Sequence, residues 1–205
     1  MGAALLAIVL SYILGSVPTG LWLGQRLRGI DIREHGSKNI GATNTLRVLG
    51  KGLGAAALIG DMGKGIISVL VFARLHDWPY MGAACGVAAI VGHSASLFLR
   101  FKGGKGVATS TGVFLALAPM ATLLAAVVFG VVVKTTRMVS AGSIAAAIVL
   151  AGTTLLVPHT WVTYPFAAMP AGWGLPGVAC AVAVLVVIKH RANIQRILRG
   201  EENKF

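Results

Sequence analysis

Three polar segments interrupt an otherwise apolar chain, and each carries groups suited to holding phosphate. The first reads Glu34-His35-Gly36-Ser37-Lys38-Asn39-Ile40-Gly41-Ala42-Thr43-Asn44-Thr45-Leu46-Arg47. Hydroxyls and amides donate hydrogen bonds, glycines let backbone N–H groups come close, and arginine offers a planar fork to an oxyanion. A plain glycine-rich polar loop would look the same. The second segment reads Phe101-Lys102-Gly103-Gly104-Lys105-Gly106-Val107-Ala108-Thr109 and opens straight into a predicted helix. There the unpaired N–H groups and the positive end of the helix dipole favour an anion. It is not a Walker A loop, because Lys105 is followed by Gly106 rather than by a hydroxyl for magnesium. A juxtamembrane basic turn that only sets topology is the alternative. The third segment is the tail, Ile188-Lys189-His190-Arg191-Ala192-Asn193-Ile194-Gln195-Arg196-Ile197-Leu198-Arg199-Gly200-Glu201-Glu202. His190 and Asn193 are three apart and share a helical face, while Ile194, Ile197 and Leu198 form an apolar stripe. A basic amphipathic helix lying on lipid headgroups accounts for the stripe and the arginines, but not for the His190–Asn193 pairing.

Two further sites fall inside apolar runs. Asp61 and Lys64 are three residues apart on one helical face. Ionisable groups in a span are costly and face the bundle interior or a polar cavity, so a structural ion pair and a site role both remain open. His93, after Gly92, reads either as a hydrogen-bonded packing residue or as a base. Cys85 and Cys180 lie in apolar runs and read as packing residues, with neither disulfide nor metal ligation suggested.

The elements that must position these groups are membrane helices. The 205 residues are 56% hydrophobic and 12% charged, with a mean hydropathy of +0.82, against about a quarter charged in soluble domains. A span needs about 20 apolar residues, so the chain holds six or seven and leaves only about 60 residues outside the bilayer. Apolar runs lie near 3–25, 53–75, 79–99, 107–133, 139–157 and 174–188. The first lacks a basic segment before it and continues to Arg26, which reads as a retained span rather than a signal peptide. The fourth run, extended to Thr136, is too long for one upright helix, and Pro119 offers a break. Basic clusters at 26–51, 100–105, 134–137 and 189–204 all face the cytoplasm only if that run is two short helices turning near Pro119. The expectation is therefore an all-α polytopic integral membrane protein with seven transmembrane helices. Its N-terminus is outside and its C-terminus cytoplasmic, and residues 76–79, the turn near Pro119 and residues 158–173 form the outer connections. The polar segments would then gather on one cytoplasmic face. The net charge of +12, from 18 lysines and arginines against six acids, points to phosphate-bearing lipids or metabolites rather than nucleic acid, for which such short loops leave no room.

Taken together, the segments resemble one family, the acyl-phosphate-dependent glycerol-3-phosphate acyltransferases of bacterial membranes (PlsY). The matching strings are Gly15-Ser16-Val17-Pro18-Thr19-Gly20, His35-Gly36-Ser37 through Ala42-Thr43-Asn44, Val91-Gly92-His93 through Phe101-Lys102-Gly103-Gly104-Lys105-Gly106, and His190-Arg191-Ala192-Asn193-Ile194. They span residues 12–202 in the family's order. Lys38 stands where a glycine or similar small residue is common, and Ala95-Ser96 where proline is frequent. The resemblance implies a single transmembrane acyltransferase domain over residues 1–205 in the bacterial inner membrane, with its active site facing the cytoplasm. It would move an acyl group from acyl phosphate to the sn-1 hydroxyl of glycerol 3-phosphate, giving lysophosphatidate and phosphate for phospholipid synthesis. The substrates' phosphates are implied to bind Ser37, Asn39, Thr43 and Arg47, then Gly103, Gly104, Lys105 and Gly106, with Ser143 also carried over. Catalytic roles fall on His190, Asn193 and Ser37. Neither a metal, another cofactor nor an obligate protein partner is implied.

The residue chemistry agrees with this expectation. An acyl phosphate is an activated mixed anhydride whose phosphate leaves with little protonation, so no covalent enzyme intermediate is required. Holding two anions together and assisting deprotonation of a hydroxyl suffices. His190 has a suitable unperturbed pKa for that proton, as does the substrate's own phosphate. None of the five histidines has an aspartate five positions on, which argues against the H-x-x-x-x-D acyltransferases that use thioesters. A small anion transporter, with Asp61 and Lys64 in its pathway, is the rival from another class; it would be supported by inverted repeats, and no convincing repeat is present. A metal-dependent lipid-phosphate enzyme would want more than six acids.

Overall fold

A computed structural model describes residues 1–158 and 172–204. The described residues form helices and connecting loops, with no strand among them. The chain divides into two compact units, Met1–Ala116 and Leu117–Phe205.

In the first unit, α1 (Gly2–Ser16) and α2 (Thr19–Arg28) are one apolar run bent by 46°. The first predicted span is thus broken, not continuous. Pro18 has no N–H to donate and pushes the residue before it out of helical geometry, and Val17 is accordingly extended at φ −58°, ψ 115°. A short helix, α3 (Ala42–Leu49), lies inside the first polar segment and precedes α4 (Lys51–Leu70). Next come α5 (Met81–Ser94) and α6 (Val107–Leu117).

The burial pattern of α1 is the reverse of that of a soluble helix. Its buried positions are Ala7, Ser11, Gly15 and Ser16, whereas Leu5, Leu6, Val9 and Ile13 are exposed. Small residues four apart let backbones approach, and apolar side chains outward suit a lipid solvent. α1 packs most heavily on α5, and the contact is backbone to backbone: a β-carbon on Gly15 would strike Ala89, and one on Gly92 would strike the Tyr12 carbonyl. α6 approaches α4 the same way, through Gly65 and Gly112. Beneath the first polar loop, Leu21, Ile32 and Ile40 form a separate buried cluster flanked by Val48, Leu49 and Leu99. Burying each such side chain is worth about 1.5–3 kcal/mol, enough to anchor an otherwise polar loop.

In the second unit, α7 (Pro119–Thr136) begins with the proline expected to break the fourth run. Only Ala118, at φ −144°, ψ 67°, separates it from α6, and proline suits a first helical position because its missing N–H would be unpaired there anyway. α7 and α9 (Gly174–Lys189) both pack on α8 (Val139–Leu156). α10 (Arg191–Leu198) leaves α9 at a 59° bend.

Among the described residues, four segments are long and apolar enough to cross a membrane: Lys51–Leu75, Met81–Leu99, Pro119–Thr136 and Val139–Leu156. The two bent pairs bring the number to six, and Val107–Leu117 is a shorter apolar helix. Of the outer connection expected at 158–173, residues 159–171 lie outside the described part.

Candidate functional site

The first polar segment is organised by a residue that the sequence reading left without a role. Asn44, 1% exposed, accepts the Ser37 backbone N–H on Oδ1 at 2.7 Å. Its Nδ2 donates to the carbonyls of Ile32 and Asn39, both at 2.8 Å, with that of His35 at 3.2 Å. One amide thus replaces the regular ladder that a loop lacks. Gly36 suits its position for two reasons, its φ of +58° and Asn44 Oδ1 standing where a β-carbon would go. Lys38 also has φ +58°, which explains why a glycine suits that position and makes the lysine a strained replacement. Asn39 closes a local turn by accepting the Gly41 N–H at 2.9 Å.

The result displays the predicted groups outward. Ser37 and Arg47 are exposed, Asn39 and Thr43 half-buried, and Thr43 stands in the first turn of α3. At the loop's base, Asp31 is held down to about 2, chiefly by its side-chain hydrogen bonds with Arg33, whose guanidinium lies 2.6 Å away. That pair is on the surface and stiffens the turn more than it stabilises the fold.

The glycine-rich segment is folded back on the end of α5. The Gly104 N–H donates to the His93 carbonyl at 2.9 Å, and β-carbons on Gly103 and Gly104 would collide with His93. Gly106, at φ +80°, turns the chain into α6, where the Ser110 N–H donates back to its carbonyl at 2.8 Å. Lys105 is half-buried between buried Gly104 and Gly106. Thr109 and Ser110, 0% and 6% exposed, hold hydroxyls without a hydrogen-bond partner among the described residues. Buried hydroxyls are normally satisfied, which sets these two apart in the first turn of α6. Thr109 closes the quoted glycine-rich segment, whereas Ser110 carried no sequence signal.

The Asp61–Lys64 alternative resolves as an ion pair of 2.6 Å with both side chains buried. His93 is buried with it, its Nδ1 3.9 Å from Asp61 Oδ1.

In the second unit, His190 is the joint between α9 and α10 rather than a residue within one continuous helix, and it is 2% exposed. Its Nδ1 lies 2.8 Å from the Val186 carbonyl. A carbonyl only accepts, so Nδ1 carries the proton and Nε2 bears the lone pair of the neutral ring. Asn193 is buried on the same side of the joint, and exposed Arg191 and Ala192 lie between them in sequence. Of the expected stripe, Ile194 and Ile197 are half-buried and Leu198 is exposed. Ser143 is buried, its hydroxyl donating to the Val139 carbonyl at 2.9 Å.

Glu202 is the residue that sequence reasoning missed here. Its Oε1 accepts from Asn193 Nδ2 at 2.6 Å and from Ser140 Oγ at 2.8 Å, and its Oε2 accepts from Arg196 Nε at 2.8 Å. Burial alone would raise its carboxyl, but those three hydrogen bonds and the Arg196 charge outweigh burial and hold it below the ordinary range. Glu202 thereby ties the tail to α8 and fixes the Asn193 amide. An acid in a basic tail was the available clue. Among the described residues, no three of His, Cys, Asp and Glu gather as a metal ion would require.

A family model described as glycerol-3-phosphate acyltransferase matches residues 5–200. A protein of that name from Desulforudis audaxviator is 46% identical over 99% of this chain and 96% of its own. One from Fusobacterium nucleatum is 42% identical over 97% and 96%. Two crystal structures are similar, both of PlsY, an integral membrane glycerol 3-phosphate acyltransferase. The glycerol 3-phosphate form has a TM-score of 0.85 at 34% identity, covering 98% of this chain and 95% of that one. The lysophosphatidic acid form gives 0.83 at 33%, with the same coverage.

Proposed function

The chain belongs to the glycerol-3-phosphate acyltransferase family, and from that premise we propose that it acylates the sn-1 hydroxyl of glycerol 3-phosphate with acyl phosphate as donor. The whole chain acts as one acyltransferase domain, in the bacterial inner membrane, with the chemistry on the cytoplasmic side. Seven spans, N-terminus outside and C-terminus inside, follow from counting the short α6 as a span and from the charge bias of the loops.

The reaction is a single displacement. The sn-1 oxygen attacks the acyl carbonyl, a C–O ester bond forms, the anhydride C–O bond breaks, and inorganic phosphate leaves with the bonding pair. The proton of the attacking hydroxyl goes to His190 Nε2 or to a substrate phosphate oxygen. Asn193 orients the hydroxyl or the imidazole. Ser37, Asn39, Thr43 and Arg47, the glycine loop 103–106 with Lys105, and Ser143 hold the phosphates, an electrostatic and positional service to two like-charged substrates.

The observation that carries the reading is the family match over residues 5–200, and the His190 tautomer set by Val186 is what a base at that position needs. Purified protein given palmitoyl phosphate and glycerol 3-phosphate, with no added metal, is expected to form lysophosphatidate and release phosphate in equal amounts. Acceptance of acyl-CoA alone would overturn the donor. Labelled glycerol phosphate entering sealed vesicles with no product formed would overturn the enzyme reading in favour of transport.

A further inference from the structure

The displacement above uses neither Asp61, Lys64 nor His93, yet all three are buried charged or titratable groups, 1%, 4% and 4% exposed. A buried ion pair is seldom worth more to stability than apolar residues of the same volume, so its presence in a span calls for another reason. Its contacts supply one. Lys64 Nζ, besides Asp61, donates to the Val17 carbonyl at 2.6 Å and the Gly15 carbonyl at 3.4 Å, at the C-terminal end of α1. Asp61 Oδ1 accepts from Thr19 Oγ1 at 2.9 Å, at the first residue of α2. The cation therefore meets the negative end of one half-helix and the anion the positive end of the next, which pins the break at Val17-Pro18.

The same Asp61 Oδ1 lies 3.9 Å from His93 Nδ1, a packing distance longer than a hydrogen bond, and His93 is the surface on which the glycine loop is moulded, through its carbonyl to the Gly104 N–H and its imidazole in the space a β-carbon on Gly104 would need. The α2 face of the break bears on the other polar segment, where a β-carbon on Gly20 would strike Thr45 Oγ1. The chain of contact from residues 17–19 to residues 103–104 is continuous and lies within the first unit. An i,i+3 pair that served only to neutralise itself would need neither Thr19 nor His93.

The geometry points to Asp61 and Lys64 as positioning residues that act through His93 to hold loop 103–106 in the conformation that presents its N–H groups to a phosphate. None of the three touches substrate. The kinetic part of this inference rests on the acyltransferase reading; the conformational part does not.

The test uses the purified full chain in detergent, read by hydrogen–deuterium exchange and by steady-state kinetics with palmitoyl phosphate and glycerol 3-phosphate. Asp61→Asn/Lys64→Met removes both charges together and leaves no unpaired buried ion. It is expected to speed exchange in residues 101–106 about tenfold with α1 and α5 changed less than about twofold. It should also raise the KM of one phosphate substrate about tenfold while kcat moves less than about threefold. His93→Ala should reproduce both effects. His93→Asn, whose amide nitrogen overlays Nδ1, should restore most of the KM when Asp61 and Lys64 are present and none of it in the double variant. Wild-type exchange and KM in the double variant and in His93→Ala would overturn the inference. So would exchange that rises equally through α1, α4 and α5, the mark of a purely structural pair. If the wild-type chain turned over neither substrate, the acyltransferase reading would fall, and the exchange data alone would still decide the role of the pair.

Discussion

At the scale of single residues, the two polar centres are each set by a side chain that binds protein rather than ligand. Asn44 shapes the first loop so that Ser37 and Arg47 stay exposed, and Glu202 fixes the tail so that Asn193 stays buried. Neither was assigned a role from sequence, because a hydrogen-bonding organiser is recognisable only by its partners, and those lie up to 12 residues away for Asn44 and 62 for Glu202. The candidate groups could be nominated from sequence, since a glycine-rich run ahead of a helix or a His three residues from an Asn stands out in an apolar chain. Glu202 allows a directional test. Its carboxyl is depressed in the folded chain, so its contribution is complete above the ordinary value of 4.5 and is lost as pH falls through the lower folded value. Charge-assisted hydrogen bonds of this kind are worth about 1.5–3 kcal/mol. Glu202→Gln should lower kcat about tenfold near neutral pH, and a thermal scan against pH should lose in the variant an acid-side step that wild type shows below 4.5. A variant with the wild-type acid profile and wild-type turnover would remove Glu202 from the site's support.

At the scale of elements, periodicity and prolines disclosed most of the helices, including the start of α7 at Pro119. The break at Val17-Pro18 was passed over although Pro18 marks it, because averaged hydropathy runs across residues 3–25 and does not register a bend. α3 was hidden for the opposite reason: eight residues of mixed polarity show no period long enough to read, and the helix exists because Asn44 and the Leu21–Ile32–Ile40 cluster hold both its ends. Apolar character also says nothing about which helix face packs inward when the solvent is lipid, and in α1 that face is the small one. This makes the α1–α5 contact sensitive to volume rather than to polarity. Gly92→Val would push a branched side chain into the Tyr12 carbonyl and the Ser16 backbone. Overpacking a close contact costs about 1–3 kcal/mol, and backbone atoms cannot yield as side chains do. The variant should show a lower thermal midpoint in detergent than Val91→Ala, a change on the neighbouring exposed face that removes more volume than it disturbs. Equal midpoints would mean that α1 and α5 do not need their close approach.

At the scale of the whole molecule, a chain this apolar carries most of its charge in the loops, which on the proposed reading both orient the chain and bind substrate. On the proposed topology, lysine and arginine in the loops after α2, after α5, after α7 and beyond α9 would serve the first purpose by their sign alone. Their second purpose requires glycines and amides beside them, which the loops bearing Ser37 and Lys105 have, whereas the Lys134 to Arg137 turn has none. On that reading the turn is the cleanest reporter of topology, because a change there would disturb orientation without disturbing substrate. The seven-span arrangement depends on α6 crossing the bilayer despite its 11 residues, about 16 Å at 1.5 Å per residue, well short of a hydrocarbon core of roughly 30 Å. Such a helix can serve only if the bilayer thins locally or if α6 is shielded by protein, and its close seating on α4 through Gly65 and Gly112 provides shielding on one side. The arrangement makes a sharp statement about sidedness. With Cys85 and Cys180 replaced by alanine, single cysteines at Lys102, Arg137 and Glu201 should all be blocked by a membrane-impermeant maleimide only after the cells are opened, while one at Asp77 should be blocked in intact cells. Labelling of Arg137→Cys from outside would make the fourth apolar run a single crossing and reduce the spans to six.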